Sequence, residues 1–258
     1  GIENSSDENI SRYLFHLGYF LTYFKPDPEK AVESLERSKA LYHDESYMFG
    51  GRRELILACS KQMLGLTGLA LKSLEDIEEQ CKTSSKIHVR ATHGKVLIHL
   101  LSGNFESAYN DAKKLLFLVR DTDLSYAKGW SLYFQGNVAF QYYNEYEAEH
   151  VLKGAIALEG MFNLRVYFDA MAGLILLSSL KGDEKATELL LMQMNQMATR
   201  LKDNKFQNYY YSVRARVRWH AGQGDNDLRW SLIDLANQNP TTYFFLIDVP
   251  ELTKIRIV

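Results

Sequence analysis

Two sets of side chains in this sequence have types and spacings suited to holding a ligand. Trp130, Tyr133, Asn137 and Gln141 follow one another at intervals of three, four and four residues, so a helix would place them in one stripe. Tyr211, Arg214 and Arg218 form a second stripe, and Asp169 is expected to project between the two. Aromatic faces beside amide and guanidinium groups suit a sugar, a peptide or an anionic ligand. The alternative is plain packing, with Trp130 and Tyr133 filling space against the next helix and the arginines solvated or salt-bridged. Arg216 lies ~200° from each of its arginine neighbours around a helix and is expected on another face. The run Tyr209-Tyr210-Tyr211 covers three directions, so at least one ring should be exposed or face a groove.

Other chemistry is harder to find. His88, His93 and His99 are close in sequence, but on a helix His88 and His99 would be ~16 Å apart along the axis and His93 would point elsewhere. They are expected to be surface or interface residues, not ligands of one metal. No H-E-x-x-H, G-x-S-x-G, C-x-x-C or phosphate-loop pattern occurs. Cys59 and Cys81 fall inside helical patterns and read as small packing residues in a reducing compartment. The expectation is a non-catalytic protein with no cofactor and no metal.

The bulk composition bounds the class. Of the 258 residues 46% are hydrophobic and 24% charged, as in an ordinary folded protein, and 4 prolines with 16 glycines are too few for a turn-rich β-sandwich. The formal net charge of −2 removes the usual electrostatic basis for binding nucleic acid. The first nine residues are polar and acidic, unlike a secretory leader. The longest apolar run, Ala170–Leu180, has 11 residues, short of the ~18 that span a bilayer. A cytoplasmic protein without membrane contact is expected.

The elements that must position these residues come from a ladder of helix starts. Asp27, Thr67, Asn104, Asn144, Asp183 and Asp225 are cap-forming residues separated by 40, 37, 40, 39 and 42 positions. All but Asp225 are followed three or four residues later by an alanine, namely Ala31, Ala70, Ala108, Ala148 and Ala186. Asp, Asn and Thr accept hydrogen bonds from the free N–H groups of a starting helix. Gly65, Gly103, Gly182 and Gly224 stand just ahead of four of the caps, where a preceding helix would end in a left-handed turn. Each unit is therefore helix, tight turn, helix, and a period near forty marks stacked repeats. Six hairpins are expected from about Asn9 to Ala236. A seventh would start near Val249, where Asp248 with Glu251 looks like another capping signal. A stack stopping inside that pattern reads as a fragment of a longer protein, with 1–258 forming a single repeat domain.

The local grammar resembles the tetratricopeptide repeat (TPR). Gly103-Asn104-Phe105 followed by Ala108, and Gly182-Asp183 followed by Ala186, are similar to the TPR turn. Gly136 sits where TPRs place a glycine for helix–helix contact, with Trp130 near the aromatic position. A more specific resemblance runs from Gly136 onward. Tyr142-Tyr143-Asn144-Glu145-Tyr146-Glu147-Ala148-Glu149-His150, then Asn163-Leu164-Arg165, Gly182-Asp183, Gly224-Asp225, Trp230, and Val249-Pro250-Glu251-Leu252-Thr253 with Arg256 are similar, in order and spacing, to the sensor region of MalT-like, LuxR-type bacterial transcription activators. The resemblance implies an all-α, right-handed superhelix of about six antiparallel hairpins that senses a signal through its concave groove. The implied partners are a small-molecule inducer or a regulatory protein or peptide, other domains of the same regulator, and a further copy through self-association. A general TPR adaptor for peptide segments or partner proteins is the alternative. The ATPase and helix-turn-helix modules of that family have no counterpart in these residues.

Overall fold

The computed structural model describes residues 2–43, 49–80, 85–158, 160, 163–222, 247, 248 and 253. The side chains of residues 2–5, 80 and 85 are not among those described. Eleven α-helices and no strand occur among the described residues. Two compact units divide the chain, Gly1–Ala127 and Lys128–Val258.

The first unit holds α1 (Ile2–Tyr23), α2 (Pro28–Leu41), α3 (Gly50–Met63), α4 (Thr67–Gln80), α5 (Ser85–Leu101) and α6 (Phe105–Val119). These pair as α1/α2, α3/α4 and α5/α6, and the first helices of successive pairs, α1, α3 and α5, also neighbour one another. The second unit holds α8 (Glu145–Ile156), α9 (Leu164–Leu180), α10 (Glu184–Leu201) and α11 (Asn204–His220), together with α7 (Ser125–Gln141), which starts at the boundary. Here α9 touches α8, α10 and α11. The sixth hairpin's second helix and the cap expected at Asp225 lie outside the described residues, as do Cys81 and Glu251.

The turns form as their sequences require. Asp27, Asn104, Asn144 and Asp183 each accept from the backbone N–H three residues on, so every one caps its helix. Asn144 also donates through Nδ2 to Glu147 at 2.8 Å, tying the cap to the third residue of its helix. Before the caps, the N–H groups of Gly65, Gly103 and Gly182 turn back to the carbonyl three residues earlier, at φ between +72° and +75°. Two details correct the expected ladder. Leu66, not Thr67, holds the cap position of α4: Thr67 is its first helical residue, and Ala70 donates back to the Leu66 carbonyl. Helix α11 ends at His220 with Gly222 in the left-handed turn, two residues before Gly224. In the fifth pair Thr187, not Ala186, donates to the cap carbonyl and is buried beside the turn.

Tyr143 occupies the place that glycine takes in the turns at Gly65, Gly103 and Gly182, at φ +56°, and is 84% exposed. Left-handed backbone costs a non-glycine residue ~1 kcal/mol. Tyr143→Gly is expected to raise stability by about 1 kcal/mol, read as a higher urea midpoint at unchanged slope; a fall would show that the ring makes up for its backbone strain.

The α1/α2 and α7/α8 hairpins bury a leucine of the second helix against a glycine of the first, Leu35 on Gly18 and Leu152 on Gly136. In the first unit Ala58, Ala70, Leu74 and Ile98 join α3, α4 and α5 in one cluster, and Ile77, Ile87 and Ala91 form a second. Each such leucine or isoleucine contributes about 1.5–3 kcal/mol by leaving water. Cys59 is a buried free thiol, and burial pushes its pKa up to about 11, with a Tyr23 hydrogen bond pulling the other way. No described helix is long and apolar enough to cross a membrane.

Candidate functional site

The second unit is organised around one carboxylate. Asp169, on α9, is fully buried among apolar neighbours such as Phe168 and Ala170. A buried carboxylate persists only if its lone pairs are taken up. Tyr133 Oη donates to Oδ2 at 2.5 Å and Tyr209 Oη donates to Oδ1. The backbone N–H of Ile247 reaches both oxygens, at 3.0 and 3.3 Å, and that of Asp248 reaches Oδ1 at 3.2 Å. Donors thus converge from α7, α11 and the 247–248 segment. Burial, then the adjacent Asp169 charge, hold the Tyr209 phenol well above its ordinary pKa, so it remains a donor.

A second carboxylate lies beside the first. Asp248 is also fully buried and accepts from Ser212 Oγ at 2.6 Å, Arg216 Nη1 at 2.9 Å and Thr253 Oγ1 at 2.8 Å. Arg216 Nη1 also donates to the Ile247 carbonyl at 3.1 Å. The Ile247 side chain rests over Gly173 of α9, where an added Cβ would come within 2.9 Å of its Cδ1 and 2.7 Å of Leu152 Cδ1. The seventh capping signal suggested at Asp248 is therefore a residue whose carboxylate is engaged by α11 as well as by Thr253.

The residues singled out from spacing are distributed as follows. Trp130, Tyr133 and Asn137 form one buried stripe on α7. The Trp130 ring meets Tyr133 edge-on at 6.1 Å, and Asn137 Nδ2 donates to Tyr133 Oη at 3.4 Å. Gln141, at the end of that stripe, is half-buried. Asp169 meets Tyr133 directly. Tyr211, Arg214 and Arg218 are half-buried on α11, and the described contacts to Asp169 and Asp248 come instead from Tyr209, Ser212 and Arg216. Spacing separated Arg216 from its neighbours and put Arg214 and Arg218 in the candidate stripe, whereas the described arginine bonds to Ile247 and Asp248 come from Arg216. The tyrosine run signalled only that at least one ring would be exposed or face a groove: Tyr209 and Tyr210 are buried and Tyr211 is half-buried, and nothing in the run said that Tyr209 would meet Asp169.

The opposite face of α9 borders open space. Tyr167 and Met171 are four residues apart and ~200° from Asp169 around the helix. With Gln193, Gln196, Met197 and Arg200 of α10 they line an open cavity of about 440 Å³.

The first unit carries buried charge of its own. Arg53 of α3 donates to the carbonyls of Ser38 and Tyr42 at the end of α2, at 3.3 and 2.9 Å, and its neighbour Glu54 accepts from Lys39 at 3.0 Å. A cation at a helix C-terminus complements the macrodipole. Glu78 of α4 accepts from Thr92 and Lys95 of α5 at 2.9 and 2.8 Å. The three histidines of α5 have separate surroundings: His88 Nε2 lies 3.0 Å from the Glu78 carbonyl, His93 is buried, and His99 faces Asp111 at 3.6 Å. Among the described residues no cluster of His, Cys, Asp and Glu is placed to hold a metal ion.

Burial, reinforced by the Arg90 guanidinium, holds the His93 pKa well below 6.5. The unfolded chain therefore binds a proton that the folded chain refuses, so stability falls as pH drops below about 6.5. Acidification from pH 6.5 to 5.5 is expected to cost about 1 kcal/mol through this residue. Thermal unfolding across that range should show a smaller loss in His93→Gln than in the parent chain; equal slopes would remove His93 as the source.

The sequence matches no protein-family model and no curated protein. Among solved structures the fold is similar to a tetratricopeptide repeat protein from Parabacteroides merdae, with a TM-score of 0.56 and 18% identity, over 96% of this chain and 90% of that one. The chain thus has an all-α, TPR-like fold of antiparallel helical hairpins.

Proposed function

We propose that this chain is a non-catalytic recognition scaffold whose first-helix faces bind segments of polypeptide. The observation that supports it is the capture of a non-helical stretch, Ile247–Asp248, by side chains of α9 and α11 through its backbone N–H and C=O groups. Asp169 has its lone pairs filled by donors and is sealed from solvent, which suits holding and not proton transfer. Following the ordered resemblance from Gly136 to Arg256, the finer reading is a cytoplasmic sensor segment of a MalT-like transcriptional regulator. In that reading it receives a regulatory protein, signals to other domains of the same regulator, and associates with further copies of itself. A small-molecule inducer is the second reading, favoured by the open cavity between α9 and α10, where amides, a guanidinium and a tyrosine meet.

Peptide-array binding and thermal-shift screening of metabolites on the same protein separate the two. Peptide binding without stabilisation by any metabolite supports the scaffold; the reverse supports the inducer, and Gln196→Ala should then abolish the shift. Sequencing the gene beyond both ends tests the regulator: neither an ATPase module upstream nor a helix-turn-helix downstream would remove it.

A further inference from the structure

Ile247 and Asp248 lie outside any described helix, yet both are buried, and each polar group of this two-residue unit described above has a partner in the second unit. Both N–H groups donate to Asp169, the Ile247 carbonyl accepts from Arg216, and the Asp248 carboxylate accepts from Ser212 and Arg216. Backbone capture of this kind is blind to sequence; selectivity comes from the remaining two features. The notch over Gly173 and Leu152 takes an apolar side chain, since a Cβ at Gly173 would close it. The Ser212 hydroxyl and the Arg216 guanidinium take a short acidic one, as charge-assisted bonds require. Apart from Thr253, which contacts only the Asp248 side chain, the polar receiving groups all belong to α9 and α11 and lie more than thirty residues from the segment they hold. The receiving surface is therefore separate from its occupant. The sequence also offers this chemistry twice, because Leu-Ile-Asp stands at 232–234 as well as at 246–248.

We infer that the Asp169–Arg216 surface is a binding site for an apolar–aspartate dipeptide within a non-helical segment, filled in this structure by the chain's own Ile247–Asp248 and open to exchange with a partner segment of the same chemistry. This rests on the reading of the chain as a polypeptide-binding scaffold. The occupant in cis competes with the partner at high effective concentration, so the free chain is self-blocked and engagement depends on displacing residues 247–248.

The test is fluorescence anisotropy of a labelled peptide with the sequence of residues 244–253, titrated with the full chain and with its Asp248→Ala variant. Asp248→Ala weakens the internal occupant while leaving Asp169, Ser212 and Arg216 in place, and is expected to bind the peptide at least ten-fold more tightly than the parent. Peptides in which the isoleucine is glycine or the aspartate is alanine are expected not to bind, and adding Arg216→Met to the chain should abolish binding. Equal affinity for parent and variant, or no binding by a variant that keeps its helical circular dichroism, overturns the site. If Asp248→Ala does not fold, amide hydrogen exchange on the parent decides: millimolar peptide should speed exchange at Ile247 and Asp248 without changing that of α9, and no change overturns the proposal. Peptides lacking the apolar–aspartate pair serve as the control for the broader reading. Binding of these alone refutes the site and leaves the scaffold standing, whereas a folded chain that binds no peptide removes both.

Discussion

Asp169→Asn is expected to destabilise the second unit by about 3–5 kcal/mol, the largest effect of any single polar change in this chain. The amide is the same shape as the carboxylate, so packing is unchanged and the loss is electrostatic. It keeps one acceptor oxygen, while its NH₂ group faces donors that the second carboxylate oxygen had satisfied. Tyr133, Tyr209 and the N–H groups of Ile247 and Asp248 then compete for one oxygen. A buried donor left without an acceptor costs about 1–3 kcal/mol. Tyr133→Phe and Tyr209→Phe should each cost less, about 1–2 kcal/mol, because the carboxylate retains its other donors. Urea unfolding followed by far-ultraviolet circular dichroism measures all three, and a Tyr209→Phe loss exceeding that of Asp169→Asn would show that the carboxylate is not the centre of the network. The network has an alkaline limit too. Tyr209 has a folded pKa well above 10, set by burial and by Asp169. The unfolded chain loses this proton first, so stability declines as pH rises past about 10.

Gly136→Leu is expected to cost about 3 kcal/mol or more by forcing α7 and α8 apart. At Gly136 an added Cβ would lie 2.5 Å from Leu152 Cδ2, 2.6 Å from Cγ and 3.4 Å from the backbone nitrogen of Leu152. Leu152 is fully buried and also borders Gly173, so it has little room to turn away. A glycine in a helix interior gives up ~1 kcal/mol of propensity relative to alanine, and close approach of the two helices offsets that cost. Leu152→Ala alone should lose about 2–5 kcal/mol by leaving a cavity. The double variant Gly136→Leu/Leu152→Ala should then cost at least about 1 kcal/mol less than the two changes added together, since the new side chain fills the space the old one vacated. Additivity within about 0.5 kcal/mol would show that the two residues do not share that space.

Much of the hairpin pattern is legible in the sequence because its causes are short-range. A cap and the N–H it serves are three residues apart at Asp27, Asn104, Asn144 and Asp183, and the hydrogen bonds of the glycine turns join residues three and five apart. Where local chemistry is ambiguous the reading slips by a residue or two. Thr67 looks a better cap than Leu66, yet the turn at Gly65 places Leu66 there. Gly224 is the glycine expected to end α11, and the left-handed turn falls two residues earlier, at Gly222. Tyr143 is the converse, a turn position with no glycine to mark it.

The sequence by itself determined that Trp130, Tyr133 and Asn137 share a helix face and that Asp169 belongs to a different hairpin, because helical periodicity fixes both within a few residues. Only the tertiary structure decided that Tyr133 and Tyr209 point their hydroxyls at Asp169, and that Arg216, not Arg214 or Arg218, meets Asp248. Those partners are 36, 40 and 32 residues apart, and Asp169 finds Ile247 across 78. At such separations no backbone hydrogen bond or side-chain spacing carries information. The choice is made when helices dock and a buried charge accepts whichever donors the docking brings within reach.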